Sequence, residues 1–441
     1  MKKFLILILA INLFANVVNN KIRFSFTNIK FNKEHLGLLE SSYLFDFNNF
    51  YGGIGVYSAI SGKRGGFFVG GIDVGIDYPL NFFHLTGGLF LGGGGGGSAP
   101  QGGGLMSRIY AALKYKNFGI GVNKIKFLNG DINSNAFFIV YDTKFKDYYF
   151  FTLPKSIKGK IKTITFSPFY KYYYPLNSKT TEGKKQLSFG VVGAEIDFDD
   201  NLLEVGGALK GDSDGYAEIY FGKEKKFKFF KLKGFIGASG GGKVDTDGGF
   251  GIKGSIESNF KYFNIETGFI KSAGSFKAYF FKGSFDKKFN LIIPGREKIE
   301  NFIPKKFEFK LYNERYLKAV DKSGRSYVLD NLTMDINYFI NSYLFCGISA
   351  SAAVDGNSGG YATGMWNAGV SYKNIFAQIS LGAAGGGGVD VGGGMVSKIE
   401  TGYNFRHFFV SVGKIKSMGK LDSTYINFGY RLKFYKLFSD F

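Results

Sequence analysis

The sequence predicts an all-β protein whose antiparallel strands close into a transmembrane β-barrel of about 18 to 24 strands. The composition is the first reason: among 441 residues there are 65 Gly, 51 Phe and 28 Tyr, and these residue types favour turns and strands over helices. The second reason is that apolar and polar residues alternate with a period of two. The third is that the connections between strand-like segments alternate between long and short.

Composition and charge exclude several classes of protein. With 45% hydrophobic residues the chain is too apolar to be disordered. One cysteine and three histidines leave little material for a metal centre. The histidines also lie on unrelated segments, so we expect no cofactor, no metal and no enzymatic activity. An excess of 56 Lys and Arg over 35 Asp and Glu makes the chain strongly basic.

The first segment has the layout of a secretory signal peptide. A basic start at Met1 to Lys3 precedes an apolar run from Phe4 to Ala15. This run is shorter than the roughly 20 residues that span a bilayer as a helix. We therefore predict a signal peptide at residues 1–15 and export of the remainder, which also removes nucleic acid as an expected partner.

An internal repeat divides the rest of the chain. The segment from Gly102 to Ile109 (GGGLMSRI) recurs 290 positions later, from Gly392 to Ile399 (GGGMVSKI), and a related segment begins halfway between them at Gly248. This spacing predicts three repeats of about 145 residues within one barrel. Their expected bounds are 16–145, 146–289 and 290–441.

Strand-like segments alternate between an apolar and a polar or small face. Near the end of the chain, Ile426, Phe428 and Tyr430 share one face, whereas Arg431 and Lys433 lie on the opposite face. Such a strand has one side in an apolar medium and the other in water. Eight strands of this kind in each repeat give the upper estimate of about 24.

The connections are sorted by length. Long connections are expected at 32–41 and 94–104, and short ones at 116–117, 341–342, 373–374 and 406–407. Short turns at one end and longer loops at the other are typical of barrels that span an outer membrane. A single wide barrel leaves no strand edge open, so we favour it over the alternative of three separate eight-stranded barrels.

The end of the chain resembles the final strand of Gram-negative outer-membrane β-barrel proteins of the porin-like class. The resemblance lies in the pattern polar, any, Gly, any, any, hydrophobic, any, aromatic, which is met by Asn427, Gly429, Leu432 and Phe434. In that class the pattern is the signal read by the barrel-assembly machinery, so the resemblance implies an assembly-signal strand at 424–434. It departs from the commonest form because Tyr435 to Phe441 follow it.

The same alternation predicts which side chains line the lumen. The expected pore-lining residues are Arg108, Lys114, Lys253, Lys398, Arg431 and Lys433. Three of them, Arg108, Lys253 and Lys398, occupy equivalent positions in the three repeats. Gly-rich loops that fold inward are expected to form a constriction, with Gly94, Gly97, Gly242 and Gly387 as candidates.

These predictions together indicate a channel in the outer membrane of a Gram-negative-type bacterium. A water-filled tube lined by cations favours anions, so the leading hypothesis is passive diffusion of small polar, preferably anionic, solutes. The alternatives are a wide export or assembly pore and a structural or adhesive surface β-protein. The expected partners are outer-membrane lipid, the barrel-assembly machinery and periplasmic chaperones, and an oligomer is left open.

Overall fold

A computed structural model describes residues 17–211, 213–260 and 263–439. The predicted signal peptide at 1–15 lies outside the described residues. The described residues form 26 β-strands, and every pairing between them is antiparallel, so the predicted all-β fold is confirmed. None of the described residues belongs to a helix long and apolar enough to cross a membrane.

The first eight strands form a closed barrel. They are β1 (Val17–Phe31), β2 (Glu34–Phe47), β3 (Phe50–Gly62), β4 (Phe68–Leu80), β5 (Phe83–Gly95), β6 (Met106–Tyr115), β7 (Phe118–Phe127) and β8 (Asn133–Tyr148). Each strand pairs with the next, and β1 pairs with β8 from Val17↔Tyr148 to Thr27↔Phe138. We call this ring the first barrel.

The next ten strands form a second barrel with an extension. They are β9 (Ile157–Pro175), β10 (Phe189–Phe198), β11 (Asn201–Lys210), β12 (Ala217–Lys226), β13 (Lys231–Gly240), β14 (Phe250–Asn259), β15 (Asn264–Ser272), β16 (Lys277–Ser284), β17 (Lys287–Pro294) and β18 (Glu297–Ile299). The ring closes because β9 pairs with β10 along one edge and with β16 along the other. Strands β17 and β18 continue along β9 beyond β16, so three segments share one position in the wall.

The last eight strands form a third barrel. They are β19 (Ile303–Val320), β20 (Ser326–Phe339), β21 (Leu344–Asp355), β22 (Ala362–Tyr372), β23 (Ile375–Gly385), β24 (Met395–Phe405), β25 (Phe408–Ser417) and β26 (Asp422–Phe438). Here β26 pairs with β19 from Ile303↔Phe438 to Tyr316↔Tyr425. A single bridge, Leu291↔Phe438, joins this barrel to β17, so β9 to β26 form one continuous sheet that contains two rings.

The preference for one wide barrel is therefore wrong, and the strand count exceeds the 18 to 24 expected. The physical reason is that β8 pairs with β1 before the chain continues. This pairing satisfies every edge within eight strands, and only a narrow ring results. The predicted boundaries at 145/146 and 289/290 fall within β8 and β17.

The two ends of the barrels differ in their connections. At one end, the turn end, connections within a barrel have two to four residues, for example 48–49, 116–117, 227–230 and 406–407. At the other, the loop end, they reach from two residues at 32–33 to thirteen at 176–188. The described residues 32–41 do not form the expected long loop. Instead, Asn32 and Lys33 form a two-residue turn, and β2 begins directly after it.

Six glycines make the contact between the barrels at the loop end. They are Gly66 and Gly96 of the first barrel, Gly215 and Gly241 of the second, and Gly360 and Gly386 of the third, and we call them the glycine ring. All six have φ between 81° and 116°. A Cβ added to any of them would come within 3.0 Å of the backbone of another member, so only glycine fits there.

A second contact between the barrels lies at the turn end, where β8, β9 and β26 extend beyond their rings. Phe150 forms a bridge with Tyr435, and the Lys436 ammonium lies 2.5 Å from the Asp147 carboxylate. Leu437 is fully buried in the apolar cluster around these strands. The three barrels are thus held together at both ends.

Candidate functional site in the barrel interiors

Each barrel is closed at the loop end by an apolar cluster inside the wall. In the first barrel it includes Phe67, Met106 and Ile125, all fully buried. The second and third barrels have corresponding clusters. Apolar side chains therefore occupy the bore at this level, where they restrict the entry of water.

The glycine-rich loops contribute to these clusters. Ala99, Val244 and Val389 lie at corresponding positions of the three loops, and each is buried in the cluster of its own barrel. Of the constriction candidates, Gly97, Gly242 and Gly387 adopt nearly the same backbone conformation, with φ of 56°, 55° and 57°. Gly94 lies at the end of β5, where its N–H donates to Gly104.

Below the apolar cluster the first barrel contains a network of ion pairs. The Arg23 guanidinium donates two hydrogen bonds to Asp142, of 2.8 and 3.0 Å. Arg108, which the sequence analysis expects to line a pore, points inward and donates a hydrogen bond of 2.7 Å to Glu40. Predicted residue Lys114 points inward as well and donates to Asp142 over 2.9 Å.

The second barrel is filled by lysines and glutamates. Predicted residue Lys253 is buried and donates to Glu204. Glu204 also accepts from Lys171 over 2.6 Å and from Lys282 over 3.1 Å. One carboxylate therefore balances part of the charge of three lysines, and the remaining compensation comes from neighbouring glutamates such as Glu195.

The third barrel has fewer ion pairs. Predicted residue Lys398 donates to both oxygens of Glu314, over 2.7 and 2.8 Å. Predicted residue Arg431 donates from Nε to Glu308 over 2.9 Å. Lys433 is exposed, so it contributes no charge to the buried interior.

The expected ring of cations around one lumen is wrong. Arg108, Lys253 and Lys398 lie in three different barrels, because three sets of strands close separately. Each of them also has a carboxylate partner. Among the described residues, 12 buried Lys and Arg face 15 buried Asp and Glu, so the excess of basic residues lies outside the buried set.

Sequence reasoning missed the buried acidic residues. Glu40, Asp142, Glu204 and Glu314 lie on the inward face of their strands. The signal was available, since each acidic residue lies two positions from a buried apolar or aromatic residue on the same face of its strand. For example, Glu314 lies between Tyr312 and Tyr316 in the period-two pattern of β19.

Buried amides in the third barrel were missed as well. Asn337, Asn367 and Asn427 are no more than 3% exposed, and neither polar side-chain atom of any of them has a hydrogen-bond partner. Asn337 and Asn367 lie at one level, because both pair with Gly347 between them. Unpaired buried amides are costly unless water satisfies them.

The outer faces of the barrels are apolar and exposed. Exposed fractions are 64% for Ile109, 71% for Ile120, 83% for Phe137 and 58% for Phe428. A soluble protein rarely leaves such a large apolar surface uncovered. Apolar outer faces around polar interiors, on closed antiparallel walls, define the class of transmembrane β-barrels.

Comparisons with known proteins add little to this assignment. No family model matches the chain, and no curated protein matches it. Solved structures with matches include mutants of the porin of Rhodopseudomonas blastica, at 8–9% identity over 95% of this chain and 99% of that one. Another is OccAB3 of Acinetobacter baumannii, at 11% identity over 95% and 100%. The TM-score is 0.21 in both cases, which is too low to carry an argument.

Proposed function

We propose that this chain is a porin-like protein of the outer membrane of a Gram-negative-type bacterium, and that small polar solutes diffuse passively through its third barrel. The observation that carries the proposal is the set of unpaired buried amides Asn337, Asn367 and Asn427. Buried polar atoms without protein partners take ordered water, and a column of water is the start of a passage. The apolar outer faces supply the membrane-spanning wall.

The third barrel is favoured over the other two because its interior is less filled by charge. In the first and second barrels, Arg23 and Lys282 each contact at least one carboxylate at the level of the network. In the third barrel, Lys310 is 3.9 Å from the ring centroid of Phe376 and has only one carboxylate, that of Glu308, at the limit of 4.0 Å. Fewer ion pairs leave more of the bore to neutral polar groups.

Conduction requires movement at the loop end, where Val389 and Val391 are fully buried in the apolar cluster. Both residues belong to the glycine-rich loop at 385–394, whose glycines permit rearrangement. We assign this loop, with Gly387, the role of gate. The corresponding loops with Gly94, Gly97 and Gly242 close the other two barrels.

The preference for anions expected from composition is not part of this proposal. The buried charges inside the third barrel are three basic residues, Lys310, Lys398 and Arg431, and four acidic residues, whereas Lys436 is buried in the contact with the first barrel. The acidic residues are Glu308, Glu314, Asp335 and Glu400. A nearly neutral interior gives no strong reason to select anions over cations.

The proposal also includes the three internal repeats and the assembly of the barrels in the membrane. Support for three repeats of about 145 residues comes from Gly97, Gly242 and Gly387, which stand 145 positions apart and share one backbone conformation. The proposed assembly signal at 424–434 lies in β26, the strand that closes the third barrel. Reading of this strand by the barrel-assembly machinery, with help from periplasmic chaperones, is the partner interaction that the proposal implies.

Conductance in planar lipid bilayers tests the proposal. We expect small steps from the refolded mature chain, with a reversal potential in a salt gradient that shows little ion selectivity. The double variant Asn337→Leu and Asn367→Leu should remove the steps, because it fills the passage with apolar side chains. The matched control, Asn20→Leu with Asn123→Leu, changes two buried amides of the first barrel and should conduct normally.

Two results would contradict the proposal. A folded, membrane-inserted protein without conductance would favour a structural or adhesive surface protein. Normal conductance of the Asn337 and Asn367 variant would exclude the third barrel as the passage. A wide export pore is not proposed, since rings of eight strands are too narrow for a polymer.

A further inference from the structure

Four short turns combine aromatic side chains with one basic residue. The basic residues are Lys116, Lys228, Lys373 and Arg406, and all four are exposed. The turn segments are Tyr115 to Phe118, Phe227 to Phe230, Tyr372 to Ile375, and Phe405 to Phe408. All four segments lie at the turn end, although they belong to three different barrels.

Two of these turns carry a stacked pair of aromatic rings. The rings of Phe227 and Phe230 stack with centroids 4.8 Å apart, and those of Phe405 and Phe408 stack at 6.1 Å. Phe229 is 78% exposed. Transmembrane barrels carry girdles of aromatic residues at both interfaces, so exposed rings of this kind fit the level where the bilayer meets water.

Three of the basic residues have an unfavourable backbone conformation. Lys116, Lys373 and Arg406 have φ of 53°, 52° and 54°. Asn48 and Asn81 adopt the same conformation in other short turns, and asparagine tolerates it better than lysine or arginine. Such strain is compatible with a role for the charge, although Lys33 in the loop-end turn adopts the same conformation.

The four turn cations are not neutralised by carboxylates of the described chain, although exposed cations elsewhere are. Arg64 pairs with Glu34 and Lys322 with Asp214 at the loop end, and Lys226 pairs with Asp200 at the turn end. At the turn end, no carboxylate of the described residues lies within 4.0 Å of any of the four turn cations. Three of them lie instead 5.2 to 5.4 Å from an aromatic ring of the same turn.

We propose that the turn end binds the phosphate groups of anionic phospholipids in the leaflet that surrounds it. The aromatic pairs place the turns at the depth of the head groups, and the unpaired cations supply charge complementary to phosphate. A soluble polyanion does not account for the aromatic pairs. This inference rests on the chain spanning a bilayer and does not depend on conduction through the third barrel.

Lipid selectivity measured by electron paramagnetic resonance tests the proposal. The full mature chain is reconstituted in phosphatidylcholine bilayers that contain spin-labelled phosphatidylglycerol or spin-labelled phosphatidylcholine. We expect the motionally restricted fraction to show a preference of about two- to fivefold for phosphatidylglycerol. About 1 M NaCl should abolish this preference by screening.

Matched variants locate the effect. The turn-end variant should lose the preference, and it combines Lys116→Gln, Lys228→Gln, Lys373→Gln and Arg406→Gln. The loop-end control removes the same number of charges and should keep the preference, and it combines Lys184→Gln, Lys322→Gln, Arg325→Gln and Lys420→Gln. A gel-shift assay of heated and unheated samples shows whether each variant is folded.

Three outcomes would overturn the proposal: no preference in the parent protein, an equal loss in both variants, or retention in the folded turn-end variant. Displacement of the labelled lipid by soluble polyphosphate, at constant ionic strength, would instead assign the cations to a soluble polyanion. A protein that selects phosphatidylglycerol but does not conduct would contradict the proposed channel and leave this inference standing.

Discussion

The charged side chains buried in the barrel interiors depend on oppositely charged partners. Glu204 is the clearest example, because it is fully buried and accepts hydrogen bonds from three lysines. Removing one member of such a network leaves uncompensated charge in a medium of low dielectric constant. The networks therefore make each barrel sensitive to single substitutions that keep size and shape.

Replacing Glu204 by glutamine should destabilise the second barrel by about 3 kcal/mol, since it leaves three buried lysines with one carboxylate fewer. Urea titration of the protein in detergent micelles, followed by gel shift, measures the change. Glu297→Gln is the control, because Glu297 is exposed on β18. Equal stability of the two variants would show that the other glutamates compensate fully.

The single cysteine, Cys346, can be used to test whether the outer face of the third barrel contacts lipid. Cys346 is exposed on β21, where Leu344 and Ile348 on the same face are 44% and 40% exposed. In the bilayer, lipid should cover this face, so a water-soluble maleimide should label Cys346 much more slowly than in urea. A cysteine in place of Ser323, in the loop at 321–325, should react rapidly in both states. Rapid labelling of Cys346 in the bilayer would contradict a lipid-facing position.

At the scale of strands, β26 shows why the residues after the proposed assembly signal matter. The strand continues past Phe434 to Phe438 and pairs there with the beginning of β19. Leu437 is fully buried, and Lys436 forms its ion pair with Asp147 of the first barrel. The final residues thus belong to both the wall and the contact between barrels.

Removing residues 435–441 should therefore lower the yield of folded protein, although the eight-residue pattern ending at Phe434 is kept. The truncated chain loses four ladder pairs with β19 and the buried side chain of Leu437. The measurement is the folded fraction recovered from membranes. Removing 440–441 alone leaves β26 whole and should have no effect; a similar loss from this shorter deletion would refute the explanation.

Much of the strand structure was predictable from the sequence, because alternation depends only on neighbouring residues. The inward positions of Arg108 and Lys114 follow from the period-two pattern of β6. Ring closure was not predictable in the same way, since β8 has the same alternation whether it pairs with β1 or with β9. The compensation of Arg108 by Glu40 depends on this closure, because the two residues are on β6 and β2.

At the scale of the whole molecule, the glycine ring couples three walls that are otherwise complete. Its members have a positive φ, and none has room for a Cβ. A side chain at any of them would need both a strained backbone and a displaced neighbour. At Gly66, Gly215 and Gly360, a single added methyl group would therefore press on the backbone of a neighbouring barrel.

Gly215→Ala should separate the unfolding of the second and third barrels, because the added methyl group would lie against Gly386. Differential scanning calorimetry should show a broader transition, or two transitions, with a loss of about 2 kcal/mol. Gly364→Ala is the control, since a Cβ there meets nothing within 4 Å. One unchanged transition in Gly215→Ala would show that the contact at the turn end suffices.

The linker between β8 and β9 and the segment between β18 and β19 place all three barrels on one polypeptide. Assemblies of separate subunits dissociate on dilution, whereas tethered units meet at an effective concentration set by the linker. Each molecule therefore contains the three barrels in a ratio of one to one to one. The contacts between the barrels do not weaken when the protein concentration is low. Barrels held in fixed proportion can also differ in their interiors, as the lysine-filled second barrel and the amide-lined third barrel do.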